Sequence, residues 1–486
     1  MKLSRIIENL TPVCISGSLE REISDICFDS RRCSEGSLFI AVNGAEADGH
    51  KYIGKAVEAG ASAVIFQEGN CPENDCEEVT WIKVNDSRLA LALAADSFYD
   101  HPSSKINLVG ITGTNGKTTT VTLLYELFSG LGYCCGLIST IANYVGEEKI
   151  EADHTTPDPV SLNSLLARMA DEGCEYCFME VSSHSVDQQR IAGLKFRVAM
   201  FSNLTHDHLD YHKTFASYRD CKKRYFDNLD KESTALVNID DRNGEVMVQN
   251  TAAAVKTYSC TRPADFKCRI IEENLDGMLI DLDGKRLWTR FIGRHNAYNL
   301  LAVYGCATLL GADPEEVVVG MSSLSPVAGR LEYIRGNRDL TAVVDYAHTP
   351  DALENVLKTL RDTGRGRQLI CVFGCGGDRD KTKRPEMGEI AAKYADKVVV
   401  TSDNPRNEDP EEIIKDIKAG MDNSARAKSL FITDRREAVR TAIMMAQEGA
   451  VILVAGKGHE DYQIIGNVKY HLDDKEIISE TFKETE

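Results

Sequence analysis

From about Lys105 onward the chain alternates short apolar runs with segments whose apolar residues recur at helical spacing. This alternation restricts it to an α/β architecture built on parallel sheets. "INLVGIT" (106–112) reads as a strand that enters a glycine loop, and "CFMEV", "FRVAMFSN" and "TALVNI" read as further strands of one series. After the loop, Val121, Leu124, Leu127, Phe128 and Leu131 mark one helix face, with Gly132 suited to the helix end. A second series starts near Leu340 with "TAVVDYA", "QLICVFG", "KVVVTSD", "SLFIT" and "AVILVAG", and predicts a separate doubly wound domain. The first hundred residues differ in texture and contain a polar cluster, "DSRRCSEGSLFIAVNG" (29–44). Boundaries are expected near residues 100 and 335, which gives three domains: 1–100, 101–335 and 336–486. At 486 residues the chain exceeds what one hydrophobic core supports.

Ligands of open α/β sheets collect beyond the carboxyl ends of the strands, and that is where the polar clusters of this sequence fall. Gly113 to Thr118, Glu180 to His184 and Asn203 to His208 follow strands of the first series. Asp345, Gly374 to Arg379, Asp403 to Arg406 and Gly456 to Glu460 follow strands of the second. Two sets of polar strand ends predict one cleft shared between two domains.

The loop "ITGTNGKTTT" departs from the strict G-x-x-x-x-G-K-[ST] pattern, because Ile111 stands where the first glycine belongs. Gly113, Gly116, Lys117 and Thr118 nevertheless supply close backbone approach, a helix N-terminus, an ammonium and a hydroxyl for Mg²⁺. An ordinary glycine turn is the competing reading, and the flanking strand and helix favour nucleotide binding. Glu180 ends a strand and can serve Mg²⁺ directly or through water. Ser182, Ser183 and His184 lack the G-x-S-x-G elbow of a serine hydrolase. His206, His208 and His212 are dense enough to suggest metal binding without cysteine partners, and at most one is expected to face the magnesium site.

A formal charge of −19 argues against sequence-independent nucleic-acid binding and requires a local basic pocket for any anionic substrate. No run of about 18 apolar residues occurs. The first ten residues lack the apolar core of a signal peptide, so a cytoplasmic protein without membrane insertion is expected. Fifteen cysteines, an odd number, fit reduced thiols; "CEYC" (Cys174, Cys177) lies in an apolar stretch and reads as buried and structural.

Taken together and in order, "DSR", "GTNGKTT", "EVSSH", "NLTHDHLDYH", "GRHNAYNLLA", "GRLE", "DYAHTPD", "FGCGGDRDKTKRP", "DNPRNE" and "GKGHE" resemble the Mur ligase family, in particular its diamino-acid-adding branch. The resemblance implies a UDP-binding N-terminal domain, a central P-loop-type ATPase domain, and a C-terminal Rossmann-like domain that binds the incoming amino acid. It implies ATP-dependent activation of the D-glutamate carboxylate of UDP-N-acetylmuramoyl-L-alanyl-D-glutamate as an acyl phosphate, which the amine of a diamino acid then attacks. ATP, Mg²⁺ and a CO₂-derived carbamate on Lys222 are the implied cofactors, the last supported by the matching Tyr218 and Phe226. The implied partners are small-molecule substrates only, bound by a monomer.

The resemblance assigns Gly113, Thr114, Asn115, Gly116, Lys117, Thr118 and Thr119 to ATP, together with Asn296, Arg330 and Asp345. Lys117 and Arg330 would serve the phosphates. Thr118 and Glu180 would hold one magnesium ion, and His208 and the Lys222 carbamate the second. Lys117, Lys222, His208 and Arg330 are the implied catalytic set. Ser30 would contact uridine, and Thr155, Thr156, Ser182, Gln188 and Arg190 the muramoyl-dipeptide, with His154 standing where many members carry asparagine. Arg379, Asp403, Asn404, Pro405, Arg406, Gly456 and Glu460 would bind meso-diaminopimelate. Arg406 supplies a planar two-pronged donor for its distal carboxylate. An L-lysine-adding ligase, a folylpolyglutamate synthetase and a nucleotide-binding regulator that has lost catalysis are the alternatives.

Overall fold

The computed structural model describes residues 1–44, 47–69, 78–152, 154–205 and 209–484. Three sheets organise them. The first has five strands in the order Cys14–Ser16, Thr80–Lys83, Ala63–Phe66, Ser37–Ile40, Asp25–Cys27.

The middle sheet is centred on Asn107–Thr112, which pairs in parallel with Tyr176–Glu180 on one side and Val198–Phe201 on the other. Neighbouring residues of these strands point to opposite faces. Val109, Ile111 and Phe178 join one apolar cluster with Val121, Leu124, Leu127 and Phe128 of the helix Lys117–Gly130. Leu108, Cys177 and Met179 join another on the opposite face. A strand buried on both faces needs an unbroken apolar run, which is what "INLVGIT" and "CFMEV" are. Each large apolar side chain buried this way stabilises the fold by about 1.5–3 kcal/mol.

The parallel core expected for this region carries antiparallel additions that the sequence expectation did not include. Both edges are antiparallel: Phe266–Asn274, Gly277–Leu282 and Lys285–Thr289 form a meander at one end, and Cys135–Ile138, Asn143–Val145 and Glu148–Ile150 another. The physical reason is turn chemistry. Asp283 and Gly284 both have positive φ, 47° and 88°, the geometry of a two-residue hairpin that Asp-Gly adopts at low cost.

The third sheet runs Glu332–Arg335, Thr341–Asp345, Val451–Ala455, Leu369–Phe373, Lys397–Val400, Ser429–Phe431, parallel except for its first strand. Cys174 and Cys177 are buried in the middle region. Among the described residues, no helix is long and apolar enough to cross a membrane.

Candidate active site

The glycine loop leaves its strand into the space between the middle and last sheets. Gly113 has φ 154°, and a Cβ there would stand 1.9 Å from Ser202 Oγ. Gly116 has φ 88°, and its Cβ would stand 2.4 Å from Asn299 Oδ1, so both positions require glycine. Asn203, at the next strand end, fixes the loop: its carbonyl accepts from Thr114 N at 2.8 Å and its Oδ1 from Asn115 N at 3.0 Å. The helix that follows begins at Lys117 with no side-chain cap, so its first-turn N–H groups face the cavity as an anion site.

Lys117 Nζ donates to the carbonyls of Gly113 and Thr114, both at 2.9 Å. Lys222, 1% exposed, donates to the same Gly113 carbonyl at 2.9 Å and lies 4.9 Å from the Tyr218 ring. Glu180, also buried, accepts at one oxygen, Oε1, from Thr118 Oγ1 (2.8 Å), Thr140 N (2.8 Å) and Thr140 Oγ1 (3.0 Å). Thr156 Oγ1 donates to the Glu180 carbonyl at 2.8 Å, and Arg190 Nη1 donates to the Thr156 carbonyl at 2.6 Å. Burial lowers the Arg190 pKa.

These groups line one chamber of about 430 Å³. Its charged lining is Lys117, Lys222, Arg190, Arg330 and Arg379 against Glu180, so among the described residues an acidic chain has here a strongly cationic cavity.

Three other cavities share lining residues with the chamber. One, of about 340 Å³, shares Asn115, Gly116 and Arg330 with it and is also lined by Asn296 and Asp345. Asn296 donates to the Ile292 carbonyl at 2.8 Å. Asp345 accepts Leu331 N and Ala347 N, each at 2.8 Å, and burial pushes its carboxyl pKa up. The Arg330 guanidinium lies 4.6 Å from the Tyr346 ring centre. Asn115 Nδ2 donates to Asp351 at 2.9 Å, across 236 residues of sequence.

The second, of about 440 Å³, shares Thr155, His184 and Arg379 with the chamber and contains Asp403, Asn404, Arg406, Gly456 and Glu460. Asn404 Nδ2 donates to Glu460 Oε2 at 2.8 Å, and Lys457, fully buried, donates to Asn404 Oδ1 at 3.0 Å. Arg406, with φ 51°, donates from Nη1 to the Gly377 carbonyl at 2.8 Å. Glu408 pairs instead with Arg384 and Lys381. Burial, with the neighbouring Asp403 charge, raises the Glu460 pKa. Pro405 does not line this cavity; it is buried, and its carbonyl leaves no room for a Cβ on Gly377, which would stand 1.9 Å away.

The third, about 820 Å³, shares His154 and Arg190 with the chamber and is lined further by Ser30, Gln188, Lys55 and Arg88. Gln188 Oε1 accepts from Arg190 Nε and Nη2 at 3.0 and 2.7 Å. Thr156 and Ser182 thus face the central chamber, while Ser30, Gln188 and Arg190 reach the outer cavity.

His206 and His208 lie outside the described residues; His212 bonds Ser183 Oγ at 2.9 Å. Thr140 escaped sequence reasoning, and Asn203, Tyr346 and Lys457 stood in its motifs without an assigned role. The last two sit inside the motifs "DYAHTPD" and "GKGHE", and Thr140 carries no local signal.

The chain was compared with known families and structures. The family models described as Mur ligase family, catalytic domain, Mur ligase middle domain, and Mur ligase, glutamate ligase domain match residues 22–99, 111–307 and 329–458. The chain belongs to the Mur ligase family. A relative from Phocaeicola vulgatus, named UDP-N-acetylmuramoyl-L-alanyl-D-glutamate--2,6-diaminopimelate ligase, is 54% identical over 99% of both chains. A relative from Bacteroides fragilis of the same name is 53% identical over the full length of both. A solved structure of a ligase so named superposes with TM-score 0.71 at 32% identity, covering 100% of this chain and 99% of that one. MurF of Acinetobacter baumannii shares the Mur ligase fold, at TM-score 0.65 and 18% identity over 95% and 94% of the two chains.

Proposed function

We propose that this Mur ligase uses ATP to add meso-2,6-diaminopimelate to UDP-N-acetylmuramoyl-L-alanyl-D-glutamate, a cytoplasmic step in making the peptidoglycan precursor. The observation that carries the reading is the cationic chamber on which three cavities converge. A three-substrate ligase must bring a nucleotide, an acid and an amine to one point, and the acid and the nucleotide are both anionic. In this reading residues 1–100 hold the UDP moiety, 101–335 the ATP and 336–486 the amino acid.

A carboxylate resists amines because its leaving group is poor. The D-glutamate carboxylate therefore attacks the γ-phosphorus of ATP, ADP departs, and the resulting acyl phosphate has phosphate as its leaving group. Lys117, the uncapped helix N-terminus and Arg330 stabilise charge on the transferring phosphoryl group. The neutral amine of diaminopimelate then attacks the acyl carbon, and the C–O bond to phosphate breaks. Arg190 and Gln188 orient the dipeptide end, Ser30 lies in the uridine cavity, and Arg379, Asn404, Arg406 and Glu460 orient the amino acid. Arg406 supplies the cation that the distal carboxylate of diaminopimelate requires and L-lysine does not.

Thr118 Oγ1 and Glu180 are in contact at the loop, a hydroxyl and a carboxylate of the kind that hold Mg²⁺ together with substrate phosphates. Bound there, Mg²⁺ would neutralise phosphate charge. The carbamate reading of Lys222 is supported by its burial on the chamber wall and by the one N–H that a carbamylated Nζ keeps for the Gly113 carbonyl. His208 is retained as a proposed ligand. Lys222→Ala is expected to lose activity and regain part of it with added short carboxylates; full activity in the variant excludes the carbamate.

The decisive test of the reading is phosphate release from ATP with UDP-muramoyl-dipeptide and either amino acid. Release that depends on diaminopimelate and is far weaker with L-lysine is expected. Equal use of both would overturn the substrate assignment, and no amino-acid dependence would overturn the ligase.

A further inference from the structure

With His348 beside it, Tyr346 lines the nucleotide cavity, the central chamber and the amino-acid cavity alike. Its ring face and its hydroxyl make different contacts. The face lies 4.6 Å from the Arg330 guanidinium. Arg330 Nε is buried and has no hydrogen-bond partner, and the guanidinium charge is met by the ring's negative face together with the Asp345 carboxylate. The hydroxyl lies 3.4 Å from Glu460 Oε1, while Asn404 and Lys457 both bond the other oxygen, Oε2.

The ring itself is held. His459 packs at 5.2 Å and His348 at 4.8 Å between centroids. Gly458, at φ 55°, has no room for a side chain: a Cβ would stand 2.7 Å from Tyr346 Cβ and 2.8 Å from the Gly329 carbonyl. Gly329 is as tightly enclosed, its Cβ falling 2.1 Å from His459 N. The backbone before Arg330 and the backbone before Glu460 therefore touch each other beside the base of the Tyr346 side chain.

We propose that Tyr346 is a positioning residue with two separable roles, aligning Arg330 on the nucleotide through its ring and Glu460 on the incoming amino acid through its hydroxyl. The inference rests on the ligase reading above and extends it. Glu460 faces the amine-bearing substrate, so losing the hydroxyl frees the orientation of one carboxylate oxygen and weakens amino-acid binding alone. Losing the ring removes the surface under Arg330 and disturbs phosphoryl transfer as well.

The test is steady-state kinetics of the full chain as wild type, Tyr346→Phe and Tyr346→Leu, with thermal unfolding of each. The contact to Glu460 is long for an O–H···O bond, so Tyr346→Phe is expected to raise the KM for diaminopimelate by about three- to ten-fold. Its kcat and its KM for ATP should stay within about two-fold of wild type. Tyr346→Leu is expected to raise the same KM and also to lower kcat by about ten-fold. An unchanged KM for diaminopimelate in Tyr346→Phe overturns the proposal, as does the same kinetic profile in both variants. If the wild type itself shows no diaminopimelate-dependent phosphate release, the ligase reading falls and the proposal with it.

Discussion

The chamber at the glycine loop and the amino-acid cavity beside it are both highly charged, yet they manage charge differently. In the chamber, Lys117 and Lys222 meet backbone carbonyls, and Glu180 meets hydroxyls and an amide. Its two lysines donate to neutral carbonyls of the glycine loop. The amino-acid cavity has Arg406 on the Gly377 carbonyl in the same way, but adds charges paired within the protein. Lys457 bonds Asn404 and Glu460, and behind them Arg435 makes a two-pronged pair with Asp474 at 2.8 and 2.7 Å, both residues fully buried. Arg435 also donates to the carbonyls of Ser402 and Ala455, the ends of the two strands that launch the amino-acid loops. In the proposed reading the first site meets polyphosphate, and the second adds paired charge that holds loops in place. Substitutions at Lys117 should therefore cost activity, at the Arg435–Asp474 pair stability, and at Arg406 amino-acid binding.

The largest effect is expected at the buried pair. Asp474→Ala leaves the Arg435 guanidinium buried and unpaired, and should lower unfolding free energy by about 3–5 kcal/mol in denaturant titration. A normal unfolding curve would remove the structural half of the comparison. Next is Lys117→Ala, expected to lower kcat by about 10²–10³-fold with little change in the thermal midpoint, because its ammonium donates to carbonyls of its own loop. Comparable loss of stability in that variant would erase the distinction between the sites. Arg406→Ala should raise the KM for diaminopimelate by about 2 kcal/mol, the low end for a charge pair because Arg406 is only half-buried, and leave the KM for ATP alone.

The smallest effect concerns pH. Glu460 faces Asp403, Lys457, Arg435 and the Tyr346 hydroxyl, and burial with the Asp403 charge raises its carboxyl pKa. As pH falls through that raised pKa the anion that meets the substrate ammonium is lost, so the KM for diaminopimelate should rise at a higher pH than an ordinary glutamate would cause. The stability contribution has the opposite sign. A raised carboxyl pKa favours the protonated folded state, so this group's contribution is present below the unfolded pKa and is lost as pH rises through the folded one. Parallel pH profiles of the KM for diaminopimelate and of the unfolding free energy would separate the two, and a KM flat across the acid limb would contradict the assignment.

Much of the framework was legible in the sequence. The strands of the middle and last sheets announce themselves as apolar runs because they are buried on both faces, and the motif residues are recognisable because they follow those runs. The Asp283-Gly284 hairpin also carries a sequence signal, and the parallel expectation passed over it. Other features have no local sign. By local pattern Lys222 reads as one lysine among several on an amphipathic helix; the family resemblance singled it out, and its placement against Gly113 sets it apart from Lys223 in the structure. Arg406 beside Glu408 suggests an ion pair, yet Glu408 is taken by Arg384 from a different helix.

The sequence by itself determined the α/β class, the glycine loop and the order of the motifs, because short-range periodicity, glycine chemistry and strand-end polarity are written in neighbouring residues. Tertiary structure alone decided which of those strand ends face one another. The contact of Asn115 with Asp351, the Tyr346 ring between Arg330 and Glu460, and the buried Arg435–Asp474 pair join residues far apart in the chain. Such contacts depend on how sheets and helices pack, and packing is a property of whole apolar faces that no single motif contains.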